Sequence, residues 1–451
     1  MNEFDLIALE SSSALLAQRA GITVLGPWQA AGTQGVWMQR LRLELLGAAP
    51  TPELPQFTDW ELVVDFAQDV WGKVQLHPAL TDPALTVTFA HQQFNGGPHP
   101  VWPCRNGHIC TMSWLQGLAG SRNAYVTEPA TTIERLCWHV ARAQEWLTLA
   151  ATNDLTQPGD PFELPDFNIG KNALGGALAY YEDEGSFAQW QQHSARSGIA
   201  DIVDWRGIIF TRRFRDKRNK DVLYEPAWGD AIAQLPETRK AIWIRLDAVP
   251  VVNRWQIPVT GTALIDTINQ QGIDLLSLLN QPLAVFPEPN EWLLLVGIPI
   301  PKRIGEEPYR YHWQALQLLP FATKLAQKAR VSTVLNRLPS SLPIRWQPIA
   351  ENWHPDYLQN RGRLSSQLSS ARVVLLGAGS LGSVLAEQLV RMGVQHLTII
   401  DPEPFEPGNL VRHTLSLSDV YTPKVLALAA RLNQVNPSAQ SYRPSPRSTD
   451  C

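Results

Sequence analysis

The segment from Arg372 to Asp401 leaves this chain few choices of local fold. Arg372–Leu376 is an apolar, β-branched run, the pattern of a buried parallel strand. Gly377-Ala-Gly-Ser-Leu-Gly382 follows, a helical stretch runs to Met392, and a second strand, His396–Ile400, ends at Asp401. That order predicts one βαβ unit. In a G-x-G-x-x-G loop each glycine has its own duty. Gly377 permits the tight turn, Gly379 lets backbone approach a phosphate, and Gly382 lets the helix sit close to the strand. The helix N-terminus offers N–H groups and a positive dipole end to an anion. Asp401 lies 19 residues beyond Gly382, where a carboxylate can accept ribose hydroxyls. A nucleotide site is expected here, and the loop alone would suggest NAD.

The residues after Asp401 argue for a different nucleotide. Asp401-Pro-Glu-Pro-Phe-Glu-Pro-Gly-Asn409-Leu-Val-Arg412-His413, followed by Thr422-Pro-Lys424, resembles the adenylation domain of ubiquitin-activating enzymes and of their bacterial relatives, the ThiF and MoeB sulfur-carrier adenylyltransferases. The resemblance implies that Asp401 holds the ATP ribose and that Asn409, Arg412 and Lys424 contact the triphosphate. A polyphosphate that loses pyrophosphate needs fixed cations, and a guanidinium suits bidentate phosphate contact. Arg361 or Arg363 would match the family's N-terminal arginine. His413 stands where the family often has Gln, and Glu403 where the second acid is often Asp. The family places a magnesium-binding aspartate on a later strand, and conjugating members have a transfer cysteine further on. Both are expected beyond Cys451, so ATP and Mg2+ are the implied cofactors, with the magnesium ligand outside this sequence. The third region therefore reads as the first part of a Rossmann-like α/β adenylation domain, C-terminally incomplete and not expected to adenylate by itself. Half a doubly wound sheet is expected to leave an unpaired edge and a bare face.

A second motif lies far upstream. His99-Pro-Val-Trp-Pro-Cys-Arg-Asn-Gly107-His-Ile-Cys110 resembles the active-site stretch of ubiquitin-conjugating enzymes, where a His-Pro-Asn precedes Gly-x-Ile-Cys. Gly107-His108-Ile109-Cys110 matches, and His99-Pro100 matches with a one-residue shift. Val101 replaces the Asn that stabilises the oxyanion in that family; Asn106 or His99 could substitute. Thr88-Phe-Ala-His91-Gln and Gly159-Asp-Pro-Phe-Glu-Leu-Pro165 also look like the bacterial branch of this fold. Cys110 is thus the expected acyl carrier. Thiolate is the nucleophile, and a covalent intermediate splits one hard step into two. A metal reading of Cys104 and Cys110 with His99 and His108 does not have the spacing of a zinc site. Cys137 sits on the apolar stripe of a helix expected over Thr131–Ala151, with Thr131 and Glu134 as a capping box. Cys451 lies in a polar tail.

The expected architecture is an α+β ubiquitin-conjugating-like domain (1–165), an α/β intervening domain (166–348) and the adenylation portion (349–451). Strands are expected at Leu41–Leu45, Glu61–Phe66, Leu85–Phe89, Lys240–Leu246 and Glu291–Ile300. Helices are expected at Thr262–Leu279, Trp313–Arg330 and Pro423–Gln434, and a linker at Pro339–Pro348. Arg212–Lys220, basic but interrupted by Asp216, reads as a solvated hairpin tip, and Glu182-Asp-Glu184 as an exposed acidic loop.

Composition narrows the function classes. Apolar residues are 44% and charged residues 18% of the chain, which excludes a wholly disordered protein. A net charge of −4 speaks against a nucleic-acid coat. Four cysteines in 451 residues make no disulfide scaffold. Met1-Asn-Glu-Phe-Asp lacks a basic, apolar leader, and the run Trp292–Pro301 is too short to span a bilayer. A cytoplasmic protein with reduced thiols is expected. The order of the regions resembles bacterial fusion proteins of CBASS-type antiphage operons and related ubiquitin-like systems. That resemblance implies a ubiquitin-like protein or the C-terminus of a cyclic-nucleotide synthase as the activated partner, a target amine as acceptor, and a homodimer when intact. Two other readings compete: a catalytically incomplete relative acting as a protein-binding module, and a nicotinamide-dependent oxidoreductase. The Asn409, Arg412 and Lys424 set argues against the second of these.

Overall fold

The computed structural model describes residues 3–32, 34–111, 128–170, 173–285, 292–318, 344–358 and 364–439. Arg361, Arg363 and Cys451 lie outside them.

The first region is an antiparallel sheet backed by two helices, α1 (Glu3–Ala17) and α2 (Thr132–Thr152). Its strands are β1 (Ile22–Val24), β2 (Gln29–Ala30), β3 (Val36–Glu44), β4 (Phe57–Asp65) and β5 (Lys73–Pro78), in the order β1-β3-β4-β5 with β2 on β3. The alternation along β3 sends Leu41 and Leu43 into the core while Arg40 and Arg42 reach across to Asp59 on β4, at 3.0 and 2.7 Å. Helix α2 starts where Thr131 Oγ1 accepts the Glu134 N–H. The box is not reciprocal, because the Glu134 carboxylate accepts from the Thr131 hydroxyl. Leu136, Cys137, Val140, Ala143 and Leu147 form the buried stripe of α2. The strand expected at Leu85–Phe89 does not form. Asn95 Nδ2 donates to the carbonyls of Leu85 and Val87, so a side chain takes the place of a neighbouring strand.

The middle region is one sheet in the order β13-β12-β11-β10-β7-β8-β6-β14, with β9 on β8. These strands are β6 (Ala177–Tyr180), β7 (Ser197–Trp205), β8 (Ile208–Arg215), β9 (Val222–Tyr224), β10 (Arg239–Arg245), β11 (Trp292–Ile300), β12 (Arg310–Leu318), β13 (Arg345–Trp346) and β14 (Ala350–Asn352). Helix α3 (Glu184–Gln191) brings Trp190 into an aromatic core with Phe214, Tyr224, Trp243 and Trp313. On a separate core, helices α4 (Gly261–Asn269) and α5 (Leu275–Val285) meet Ile242, Ile244, Leu294 and Val296.

Four expectations are corrected here. The single helix at Thr262–Leu279 is two helices, separated by a turn that holds Gly272 at φ +74°. The described start of Trp313–Arg330 is strand β12, paired along its length with β11. The described end of the supposed linker is core: Trp346 is fully buried and its Nε1 donates to the Pro258 carbonyl at 2.7 Å. Glu182 is not in an exposed loop but 1% exposed. The Arg212–Lys220 run does turn at a hairpin between β8 and β9, with Asn219 in the left-handed region and Arg213 and Arg215 held by carboxylates.

The third region pairs β15 (Arg372–Leu376) with β16 (His396–Ile400) in parallel, with α6 (Ser380–Arg391) between them and α7 (Lys424–Val435) beyond. Leu397, Ile399, Ala386, Val390 and Leu428 form its core. Strand β15 is not the buried run expected from its sequence: Val374 and Leu376 are 59% and 76% exposed. Among the described residues, no helix is long and apolar enough to cross a membrane.

Candidate functional site

The Cys110 thiol sits on an irregular strand strapped between two others. The Ile109 N–H donates to the Leu76 carbonyl, the Gln93 N–H to His108, and the Cys110 N–H to His91 at 2.8 Å. Gly107 turns the chain into this strand at φ +93°, and a Cβ there would lie 2.7 Å from Asn95 Cα. The glycine of the Gly-x-Ile-Cys motif is therefore sterically required. Cys110 lines a cleft with His91, Gln92, His108, Glu163, Asp166 and Trp255. Neither His99 nor Asn106 lines it. His99 instead stacks on Trp102 with ring centres 4.5 Å apart, and its Nδ1 accepts the N–H groups of Val101 and Trp102.

Two histidines of the cleft behave differently. Burial, helped by the charges of Lys73 and His99, pushes His108 down to about 4, so it is a neutral ring at neutral pH. His91 Nδ1 lies 2.9 Å from a Glu163 carboxylate oxygen. Burial opposes its charge, but the Glu163 contact outweighs burial and raises its pKa.

The residue after the thiol is fixed from the opposite side. The Thr111 hydroxyl meets His139 Nδ1 at 2.6 Å, and His139 Nε2 meets Glu128 at 2.7 Å. Since the carboxylate only accepts, His139 donates from Nε2 and accepts the Thr111 hydroxyl at Nδ1. Arg142 Nε donates to the Thr111 carbonyl. Sequence reasoning missed His91, Glu163, Trp255, Thr111 and His139 as neighbours of Cys110. They come from five separate stretches of chain, and only the quoted His91 and Glu163 segments gave a hint. Among the described residues, no three His, Cys, Asp or Glu side chains are grouped to hold a metal.

The glycine loop is clasped at one residue, Ala378. The Asp401 carboxylate accepts the Ala378 N–H at 2.6 Å, while His413 Nε2 contacts the Ala378 carbonyl at 2.5 Å. His413 Nδ1 accepts the Leu415 N–H, so Nε2 carries the proton. Burial holds the His413 pKa below its usual value. Gly377 has φ +89°, a Cβ at Gly382 would lie 2.0 Å from the Gly377 carbonyl, and Gly379 has open space around it. Gly379 is also the N-cap of α6 and makes no side-chain cap bond. An uncrowded backbone at a helix start is the cradle that a phosphate needs.

The structure gathers some of the expected nucleotide residues here. Asp401 is buried, and its second oxygen accepts the Glu403 N–H at 2.8 Å. Lys424 is buried with its Nζ on Glu403. Asn409 uses its carboxamide oxygen locally, accepting the Glu406 N–H. Arg412 is exposed, and no carboxylate pairs with it among the described residues.

Residues 153–353 match the family model of the Cap2 central linker domain, and residues 357–445 match the ThiF family. The ATP-dependent ubiquitin transferase-like protein Cap2 of Enterobacter hormaechei is 29% identical over 403 residues, covering 86% of this chain and 66% of that protein. Its namesake in Escherichia coli is 42% identical over 72 residues, 15% of this chain and 12% of that one. The chain thus spans less than two thirds of the length of these relatives. The E. coli dehydratase TcdA, solved in complex with ATP, is 31% identical over 16% of this chain and 31% of its own, with a TM-score of 0.16. A match to the Cap2 central linker domain is thus followed, in one chain, by a match to the ThiF family, the order of regions that the sequence resemblance implied.

Proposed function

We propose that this chain serves the ATP-dependent activation of a protein's C-terminal carboxylate and its passage, as a thioester on Cys110, to a target amine. The observation that carries this reading is the clasped glycine loop: Ala378 is held on both sides while Gly379 is left open at a helix start. The match to the ThiF family and the likeness to Cap2 support it. On this reading residues 1–165 are a ubiquitin-conjugating-like domain, 166–348 an intervening domain, and 349–451 the N-terminal part of an adenylation domain.

The residues present fit ATP. When bound, ATP supplies the pyrophosphate leaving group that makes a carboxylate reactive. Gly377, Gly379 and Gly382 shape the backbone against phosphate. Asp401 accepts one N–H at each oxygen and keeps lone pairs for ribose hydroxyls. Exposed Arg412 is available to the triphosphate, and Lys424 reaches it by leaving Glu403. At the other site the Cys110 thiolate attacks an incoming thioester carbonyl and the carrier thiol leaves. An amine then attacks the same carbonyl, and the Cys110 thiolate departs. The activated partner is a ubiquitin-like protein or a cyclic-nucleotide synthase, with a homodimer in the intact assembly.

The test is to express the chain in its own host with Cys110→Lys, which converts a labile thioester into a stable amide. Mass spectrometry should map an acyl adduct to position 110, lost when Gly379→Ala is added. A partner protein retained without any adduct at position 110 would overturn this reading in favour of a binding module, a role that the exposed face of β15 also suits.

A further inference from the structure

A second cavity adjoins the Cys110 cleft. Glu163 and Trp255 form a common wall between the cleft and this cavity of about 230 Å³, lined by Ala90, Phe162, Pro301 and Ile304. The two sides of this wall come from different regions of the chain. The Trp255 N–H donates to the Thr88 carbonyl at 3.0 Å, and Arg254 pairs with Glu53 at 3.0 Å. Phe162 presents its ring edge to Trp255, with centres 6.2 Å apart. Gly159, Asp160 and Phe162 are tied to Lys302 and Ile304 by backbone hydrogen bonds. The middle region therefore builds this second cavity against the segment that carries His91.

We propose that this second cavity is a subsite for one apolar side chain near the C-terminus of the protein whose acyl group Cys110 carries. The inference rests on the acyl-carrier reading of Cys110. Its lining is apolar apart from Thr156 and Glu163, so an acidic side chain would lose hydration there and meet only a like-charged carboxylate. An acyl chain bound at Cys110 must leave the cleft along one of its walls, and an extended chain advances about 3.3 Å per residue. Successive side chains of such a segment point to opposite sides. One cavity beside the thiol therefore reads one position, a residue or two before the carboxyl end, and leaves the next unread. The space suits a single Leu, Ile, Phe or Met rather than a folded surface. The middle region thereby takes part in choosing the acyl donor, through Trp255, Pro301 and Ile304.

The experiment uses the full chain and synthetic eight-residue peptides ending in a benzyl thioester, which acylate Cys110 directly and release benzyl thiol. Each of the last four positions is set to Leu, Gly or Asp in turn, and the acylation rate is read by mass spectrometry. One position should favour Leu over Asp by tenfold or more. That ratio should collapse toward one in Ala90→Phe, which fills the cavity, and shift toward a larger side chain in Ile304→Ala, which widens it. Acylation with no positional preference, or a preference that both variants leave untouched, overturns the subsite but not the carrier role of Cys110. A Cys110 that reacts with none of the thioesters, peptidic or small, overturns both.

Discussion

Glu182→Gln should make the middle region more stable at pH 8 and leave it nearly unchanged at pH 4.5. Glu182 is buried with no cation beside it. One carboxylate oxygen accepts the indole N–H groups of Trp190 and Trp313, at 2.9 and 2.7 Å, and the other accepts the Ser186 hydroxyl. Burial pushes its pKa up to about 7 against an ordinary 4.5, because three neutral donors only partly replace the lost hydration. The fold therefore holds this proton more tightly than the unfolded chain does. Below about pH 4.5 both states are protonated and the group is neutral to stability. As pH rises toward 7 the unfolded chain releases the proton first, so stability falls, and the loss levels off near about 3 kcal/mol above pH 7. A glutamine keeps the oxygen for both indoles. Its amide can donate to Ser186 Oγ, whose own proton then turns from residue 182 to the Asp183 carbonyl, 2.9 Å away. The assay is urea unfolding followed by tryptophan fluorescence, which reports on this core through Trp190, Trp243 and Trp313. The wild-type midpoint should drop between pH 5 and pH 8 by more than that of the variant. Parallel pH profiles, or a variant equally weakened at both values, would refute the reasoning.

Four further outcomes separate fold from function. Gly382→Ala should weaken ATP binding in calorimetry and lower stability by about 1–3 kcal/mol, because its Cβ meets the Gly377 carbonyl. Gly379→Ala meets nothing within 4 Å, so it should cost about 1 kcal/mol or less as a changed N-cap and still weaken ATP tenfold or more. Thr111→Val leaves His139 Nδ1 unpaired, which costs about 1–3 kcal/mol; acylation of Cys110 by a small thioester should slow, and Thr111→Ser should restore it. Gly107→Ala places a Cβ against Asn95 at positive φ, so thermal melting should show the first region unfolding several degrees earlier.

The parts of this fold that could be read in the sequence are those decided within a few residues. The alternation of β3, the Thr131 cap and the glycine loop all express local geometry. Trp313–Leu318 misled because Gln, Ala and Leu favour helices, while its strand is imposed from outside. Residues from Trp292 to Ile300 pair with it, and Gly297 leaves room for the Trp313 ring, which a Cβ would approach to 2.9 Å. Glu182 misled for the same reason: its indole partners come from α3 and β12. The cleft was half-readable, since Gly107 and Cys110 lie only three residues apart but Trp255 reaches it from the middle region.

The glycine loop shows how a correct spacing argument can still understate a residue. Distance along the chain pointed Asp401 at a ribose, and nothing local said that the same carboxylate holds the loop. The structure gives Asp401 the Ala378 N–H and His413 the Ala378 carbonyl. The two peptide units that flank the Ala378 Cα are thereby each satisfied at one hydrogen-bonding group before any ligand arrives. The neighbouring Gly379 then needs no support of its own and can stay bare, as close approach by phosphate demands. A glutamine, common at the His413 position in the resembling family, could also donate from its side chain to that carbonyl. The departure at position 413 thus keeps the donor that the loop requires, and the exposed cation Arg412, one residue before it, is carried on a segment anchored directly to the loop.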